Sequence, residues 1–150
     1  MTCSLVVNSK SGNTRMVSGA IKRTLQAAGV EFVHAAALSD DADADQVALE
    51  AQGACAADTV LVGFWCDNGA CTPSVAALLS ALHCKRVFLF GTCGFGASEE
   101  YFRQIIDRVT SNLANDAELV GWAMCQGKMG PAVMQRYEAM LEQDTETAGF

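Results

Sequence analysis

The residues best equipped for chemistry lie near the start of the chain, in Ser9-Lys10-Ser11-Gly12-Asn13-Thr14. Three hydroxyls (Ser9, Ser11 and Thr14) and the Asn13 amide supply neutral hydrogen-bond donors, and Gly12 lets the backbone close around an anion. The apolar run Leu5-Val6-Val7 precedes them, and Val17, Ala20, Ile21, Leu25 and Ala28 follow at helical spacing. The segment therefore joins a strand to a helix N-terminus, where free N–H groups and the positive end of the helix dipole hold phosphate. A capped helix after a tight turn is the plain alternative; the strand before and the helix after shift the reading to phosphate.

Two more clusters follow apolar runs in the same way. Gly63-Phe64-Trp65-Cys66-Asp67-Asn68-Gly69 ends one run, and Phe90-Gly91-Thr92-Cys93-Gly94-Phe95-Gly96 ends another. Trp65 sits just past its strand and before turn-forming residues; a large exposed ring there needs a partner, so it reads as stacking on a ligand. Trp122, inside an apolar run, reads as core.

The elements that must position these clusters alternate along the chain. Strands are expected over 3–8, 30–34, 59–64, 87–90 and 119–124, each followed by a helical pattern; Thr72 and Pro73 mark a helix start, and Gly29 a helix stop. The last helix carries Val133, Met134, Tyr137, Met140 and Leu141 on its inner face. Five such units predict an α/β fold with a five-stranded parallel sheet covered by helices on both faces, one domain over 1–143 and a polar tail over 144–150. Glu31 and His34 make the second strand the least apolar, which places it at an edge and gives the order 2-1-3-4-5. In such sheets ligands bind beyond the carboxyl ends of the strands, where the order reverses. The loops at 9–14, 65–72 and 92–98 converge there.

Composition narrows the function. The chain has 150 residues, 51% of them hydrophobic and two of them proline, enough for a real core and too few breakers for a disordered protein. Ten Lys and Arg against 17 Asp and Glu leave a net charge of −7, which argues against nucleic acid and anionic membranes. No run reaches the roughly 20 apolar residues of a membrane helix, and the opening residues lack a signal-peptide pattern. Seven cysteines, an odd number, lie mostly in apolar stretches; Cys3, Cys84, Cys93 and Cys125 read as small buried hydrophobes. Free thiols and a cytoplasmic location follow. Without a Cys-x-x-Cys pair, no metal site is expected. His34 and His83 show no partner in the sequence, and His83 is placed against the end of the third helix.

Residues 9–14 resemble the phosphate loop of the flavodoxin family, Thr/Ser-x-Thr/Ser-Gly-Asn-Thr, with Ser9, Ser11, Gly12, Asn13 and Thr14 matching position by position. The clusters at 63–69 and 90–96, then Glu99-Glu100-Tyr101-Phe102, resemble that family's second and third flavin loops, and Cys125-Gln126-Gly127-Lys128 the end of its fifth strand. The likeness covers about 1–143. It implies a three-layer αβα sandwich and FMN as cofactor. Ser9, Lys10, Ser11, Gly12, Asn13 and Thr14 would surround the phosphate, and Trp65 would pack on the isoalloxazine ring. Cys66, Asp67, Asn68, Gly69, Gly91, Thr92, Cys93 and Gly94 would follow the ring's polar edge. The implied activity is electron transfer from a reductase to a larger redox enzyme, with no catalytic residue of the chain's own. The acidic stretch 39–45 would be a solvated loop or a docking surface for a basic partner.

Departures from the family leave other readings open. Cys66 stands where many relatives have glycine and resists a positive φ. Glu99 takes the place of a stacking tyrosine, so Phe95 is the nearest aromatic and one flavin face is open. Arg15 stands where many flavodoxins carry an acid. An open face also suits an FMN-dependent reductase of a quinone or conjugated pigment, and loss of FMN would leave an interaction subunit. Ser9 rather than cysteine argues against a low-molecular-weight phosphatase, whose loop has similar spacing. Phe64 and Trp65 stand where a receiver domain needs an aspartate.

Overall fold

Continuous runs of Val, Leu and Phe have no polar face to offer water, so they become strands sealed on both sides. In a computed structural model, which describes residues 1–94 and 98–126, they form β1 (Thr2–Val7), β3 (Thr59–Trp65) and β4 (Arg86–Cys93). These are flanked by β2 (Glu31–Ala37) and β5 (Glu118–Gln126). All neighbouring pairs are parallel, in the order β2-β1-β3-β4-β5. The edge position of β2 is as its polar residues predict; its side chains alternate between exposed and half-buried.

Strand alternation divides the core in two. Val6, Val60, Val62, Phe64, Val87 and Leu89 face α2 (Ala44–Ala54), α3 (Pro73–Ser80) and α4 (Glu99–Thr110). Cys3, Leu5, Leu61 and Phe90 face Val17 and Ile21 of α1 (Asn13–Ala27). Each such side chain, fully buried, contributes about 1.5–3 kcal/mol. The helix expected at 133–141 and the tail at 144–150 lie outside the described residues. No helix among the described residues is long and apolar enough to cross a membrane.

The strand ends differ from expectation where they matter most. β3 runs on to Trp65 and β4 to Cys93, so Gly91, Thr92 and Cys93 belong to the sheet, paired beside Phe64 and Trp65, rather than to a loop. Gly91 permits this: a Cβ there would stand 2.6 Å from Phe64 Cζ and 2.7 Å from Met124 Sδ. Cys84 is exposed with φ 61, in the turn before β4, instead of buried. His83 meets Asp116 at 3.2 Å rather than a helix end, and His34 pairs with Glu50 at 3.0 Å. Trp122 is only partly buried at the core's margin. All seven cysteines are thiols.

Candidate functional site

The ends of β1, β3 and β4 carry the three expected clusters to one end of the sheet. Helix α1 starts there without a side-chain cap, on Gly12 at φ 92, and has no acid in its first turn. The other long helices differ: Asp43 closes a capping box on α2, and Ser98 caps α4 through the Tyr101 N–H. The Ser9 hydroxyl accepts from the N–H of Gly12 at 3.1 Å and of Arg15 at 3.4 Å. Because a helix leaves its first N–H groups without internal acceptors, those of Asn13 and Thr14 remain for a ligand. The Asn13 amide donates to Ser11 Oγ at 3.0 Å, drawing both polar side chains over the turn. The space beside Gly12 is open.

Thr14 does a different task from the one its place in the motif suggests. Its side chain is buried, 2.7 Å from Thr92 Oγ1 and 3.4 Å from the Phe64 carbonyl, to which it donates. The hydroxyl thus fastens α1 to the ends of β3 and β4, and the loop's outward donors are the backbone N–H groups and the side chains of Ser11 and Asn13. Gly91 and Thr92, expected along a ring edge, are likewise buried.

Trp65 is half-exposed and already partnered. Its indole N–H donates to Asp40 Oδ1 at 3.0 Å, and the Lys10 ammonium lies 4.8 Å from the ring centroid, a cation–π distance. Asp40 also accepts from the Asn8 amide at 2.7 Å, and buried Asn8 accepts in turn from the Thr72 hydroxyl at 3.3 Å. This network lies outside what spacing reveals. Asp40 sits within an acidic stretch that reads as solvated, and the one signal for Asn8 is an amide set directly on the end of an apolar strand.

The next loop is a tight reversal. Asp67 and Ala70 exchange both backbone hydrogen bonds, at 2.7 and 3.1 Å, around Asn68 at φ 51 and Gly69 at φ 81. Two positive φ values define a type I′ turn, which Asn-Gly supplies with least strain. Arg108 of α4 holds the turn through the Gly69 carbonyl at 3.1 Å. Cys66 is half-buried in front of it; burial first, and then hydrogen bonding to the Cys93 thiol, push its pKa up to about 11. Gly94 is exposed and accepts from the Gln126 amide at 3.5 Å. Phe95 lies outside the described residues. Among the described residues no group of His, Cys, Asp and Glu could hold a metal ion.

A family model described as a flavodoxin domain matches residues 4–149. The chain belongs to the flavodoxin-domain family. Two curated relatives carry the description "Flavodoxin-like domain-containing protein BilS". The one from Clostridium symbiosum (strain WAL-14163) is 31% identical over 148 residues, covering 95% of this chain and 76% of the relative. The one from Clostridioides difficile (strain CD3) is 34% identical over 85 residues, 57% of this chain, and the match spans about half of that relative (48%). Among solved structures, two-electron reduced Megasphaera elsdenii flavodoxin superposes with a TM-score of 0.55 at 23% identity, over 95% of this chain and 99% of that one, a likeness of fold. The flavodoxin family generally binds FMN.

Proposed function

We propose that this flavodoxin-domain protein binds FMN without a covalent bond and carries electrons from a reductase to a larger redox enzyme. The observation that carries the reading is the α1 N-terminus, whose N-cap Gly12 has no side chain to cap it, whose first turn holds no acid, and beside which the space is open. An anion is the partner such a terminus lacks, and the residues present fit a phosphate monoester. Ser11, Asn13 and the backbone N–H groups of Asn13 and Thr14 would hold it, with Lys10 adding the only positive side chain of the loop. Trp65, pinned by Asp40, would bound the ring on one side, and Cys66 with the turn at 67–70 would meet its polar edge. FMN supplies the redox chemistry, accepting and releasing one or two electrons. The chain's part is to hold the cofactor and set its surroundings. The seven thiols suit the reducing cytoplasm.

The test is the visible absorbance of the purified protein, before and after excess FMN and desalting. A flavin spectrum that stays with the protein is the expected result; a colourless protein that also rejects added FMN overturns the cofactor assignment. With FMN bound, NADPH or NADH alone should reduce it slowly, and a reductase should speed this at least tenfold. Rapid oxidation of the nicotinamide with a quinone and no partner protein would replace the carrier with an enzyme.

A further inference from the structure

Cys66 and Cys93 stand side by side on neighbouring strands. The β3–β4 register pairs Trp65 with Thr92, and the ladder continues past it: the Cys66 N–H donates to the Thr92 carbonyl at 2.8 Å. In a parallel ladder that bond pairs Cys66 with the residue after Thr92, which is Cys93. Both side chains lie on the face covered by α2, α3 and α4, with Val62 and Phe64 on β3 and Leu89 on β4. The Cys93 thiol, after burial, helps to raise the pKa of Cys66, and its charge is the first cause that raises the pKa of Tyr101. Neighbouring strands run about 4.8 Å apart, inside the range of about 4.4–6.8 Å that a disulfide needs between Cα atoms. The pair sits at the last rung of the ladder, where the chain past Cys66 is held by a turn rather than by the sheet.

We propose that Cys66 and Cys93 form a redox-active dithiol that a small-molecule disulfide closes to a Cys66–Cys93 disulfide. Exposure sets the order of events. Cys66 is half-buried and Cys93 is 6% exposed, so Cys66 meets the reagent. The Cys66 thiolate attacks one sulfur of the reagent R–S–S–R, forming a mixed disulfide and releasing R–S⁻, which takes up the Cys66 proton as R–SH. Cys93 then attacks Cys66 Sγ; the Cys66–S–R bond breaks, the Sγ–Sγ bond forms, and a second R–SH leaves with the Cys93 proton. Two cysteine sulfurs are oxidised by two electrons in all, and the reagent disulfide is reduced to two thiols. The product staples the ends of β3 and β4, from which two of the three site loops spring. The inference stands on the thiol geometry and does not require FMN to be bound.

The experiment uses the full chain, reduced, freed of reductant and incubated with oxidised glutathione at mildly alkaline pH. Acid quenching, alkylation in denaturant and peptide mapping by mass spectrometry follow. The expected product is about 2 Da lighter than the reduced protein and yields one cross-linked peptide joining Cys66 to Cys93. The glutathione adduct on Cys66 should be short-lived in the wild type and at least tenfold longer-lived in Cys93→Ser. Cys66→Ser should leave Cys93 without an adduct. Recovery of both residues alkylated, a persistent adduct on Cys66 in the wild type, or a link from Cys66 to Cys71 would each overturn the proposal. The wild-type map decides the matter even where a variant folds poorly.

Discussion

The Thr14–Thr92–Phe64 contact has a direction, and the direction predicts an asymmetry. Thr14 Oγ1 donates to the Phe64 carbonyl, so its single proton is committed. The 2.7 Å contact between the hydroxyls can take either direction; with the Thr14 proton on the carbonyl it runs from Thr92 to Thr14, and that is the direction the variants test. Both groups are buried, at 1% and 4% exposure. In Thr14→Val the shape survives but the Thr92 hydroxyl loses its acceptor in a place water does not reach, a loss of about 1–3 kcal/mol. In Thr92→Val the Thr14 hydroxyl keeps its carbonyl, and only one neutral hydrogen bond goes, about 0.5–1.5 kcal/mol. The double variant leaves no stranded hydroxyl, so its cost should fall below the sum of the singles by about 1 kcal/mol. Urea unfolding of the FMN-free protein, with equal m-values across the four proteins, measures all three differences. If Thr92→Val costs as much as Thr14→Val, or the two add to within about 0.3 kcal/mol, the relay does not run as drawn.

Three further perturbations test other parts of the site. Gly12→Ala meets no atom but forces an alanine to φ 92; it should lower stability by about 1–2 kcal/mol and weaken FMN binding, read by urea unfolding and by fluorescence titration. Asp40→Ala strands one Asn8 amide proton and frees the Trp65 indole; a stability loss of about 1–3 kcal/mol and red-shifted Trp65 emission, measured in a Trp122→Phe background, are expected. Iodoacetamide labelling of Cys66 in the reduced, FMN-free protein should rise about tenfold per pH unit from pH 7 to 10, since a thiol at about 11 is still almost wholly protonated there. Levelling off near pH 9 would show that burial and Cys93 do not raise it.

The parts of the molecule legible in the sequence are those set by local rules. Continuous apolar runs gave the strands, the polar residues of β2 gave its edge position, and strand order followed from connection handedness. Gly12 was recognisable as the place where the backbone could close around an anion. The limits of β3 and β4 were not legible, since Gly91 and Thr92 look like loop residues yet pair with Phe64 and Trp65, Gly91 at a place where Phe64 and Met124 leave no room for a Cβ. The inward turn of Thr14 depends on Thr92, 78 residues away, and the anchoring of Trp65 on Asp40, 25 residues away. No local pattern records such pairings. The residues of the loop at 9–14 could be named, but not which of their atoms face outward.

These long-range bonds have one effect in common: the first loop, the segment after β2 and the turn at 67–70 are each tied to an element other than their own. Thr14 ties the first loop to β4 and the β3 carbonyl, Asp40 ties the segment after β2 to Asn8 and Trp65, and Arg108 ties the turn at 67–70 to α4. Ordering a loop or long side chain on binding costs roughly 0.5–1.5 kcal/mol for each rotamer-rich group. Here much of that ordering is done before a ligand arrives, at the expense of folding rather than of binding. Lys10 is the exception: among the described residues a ring contact at 4.8 Å is its one hold, one that lets it swing toward an anion at the α1 N-terminus. A site built this way binds through its fixed backbone donors and one mobile charge, so its affinity should depend on salt through Lys10. Lys10→Met should lower FMN affinity at low ionic strength and flatten its salt dependence, while Ser11→Ala should lower affinity about equally at all salt concentrations. A Lys10→Met protein that keeps the wild-type salt slope would place the charge elsewhere and leave the backbone donors as the whole of the anion site.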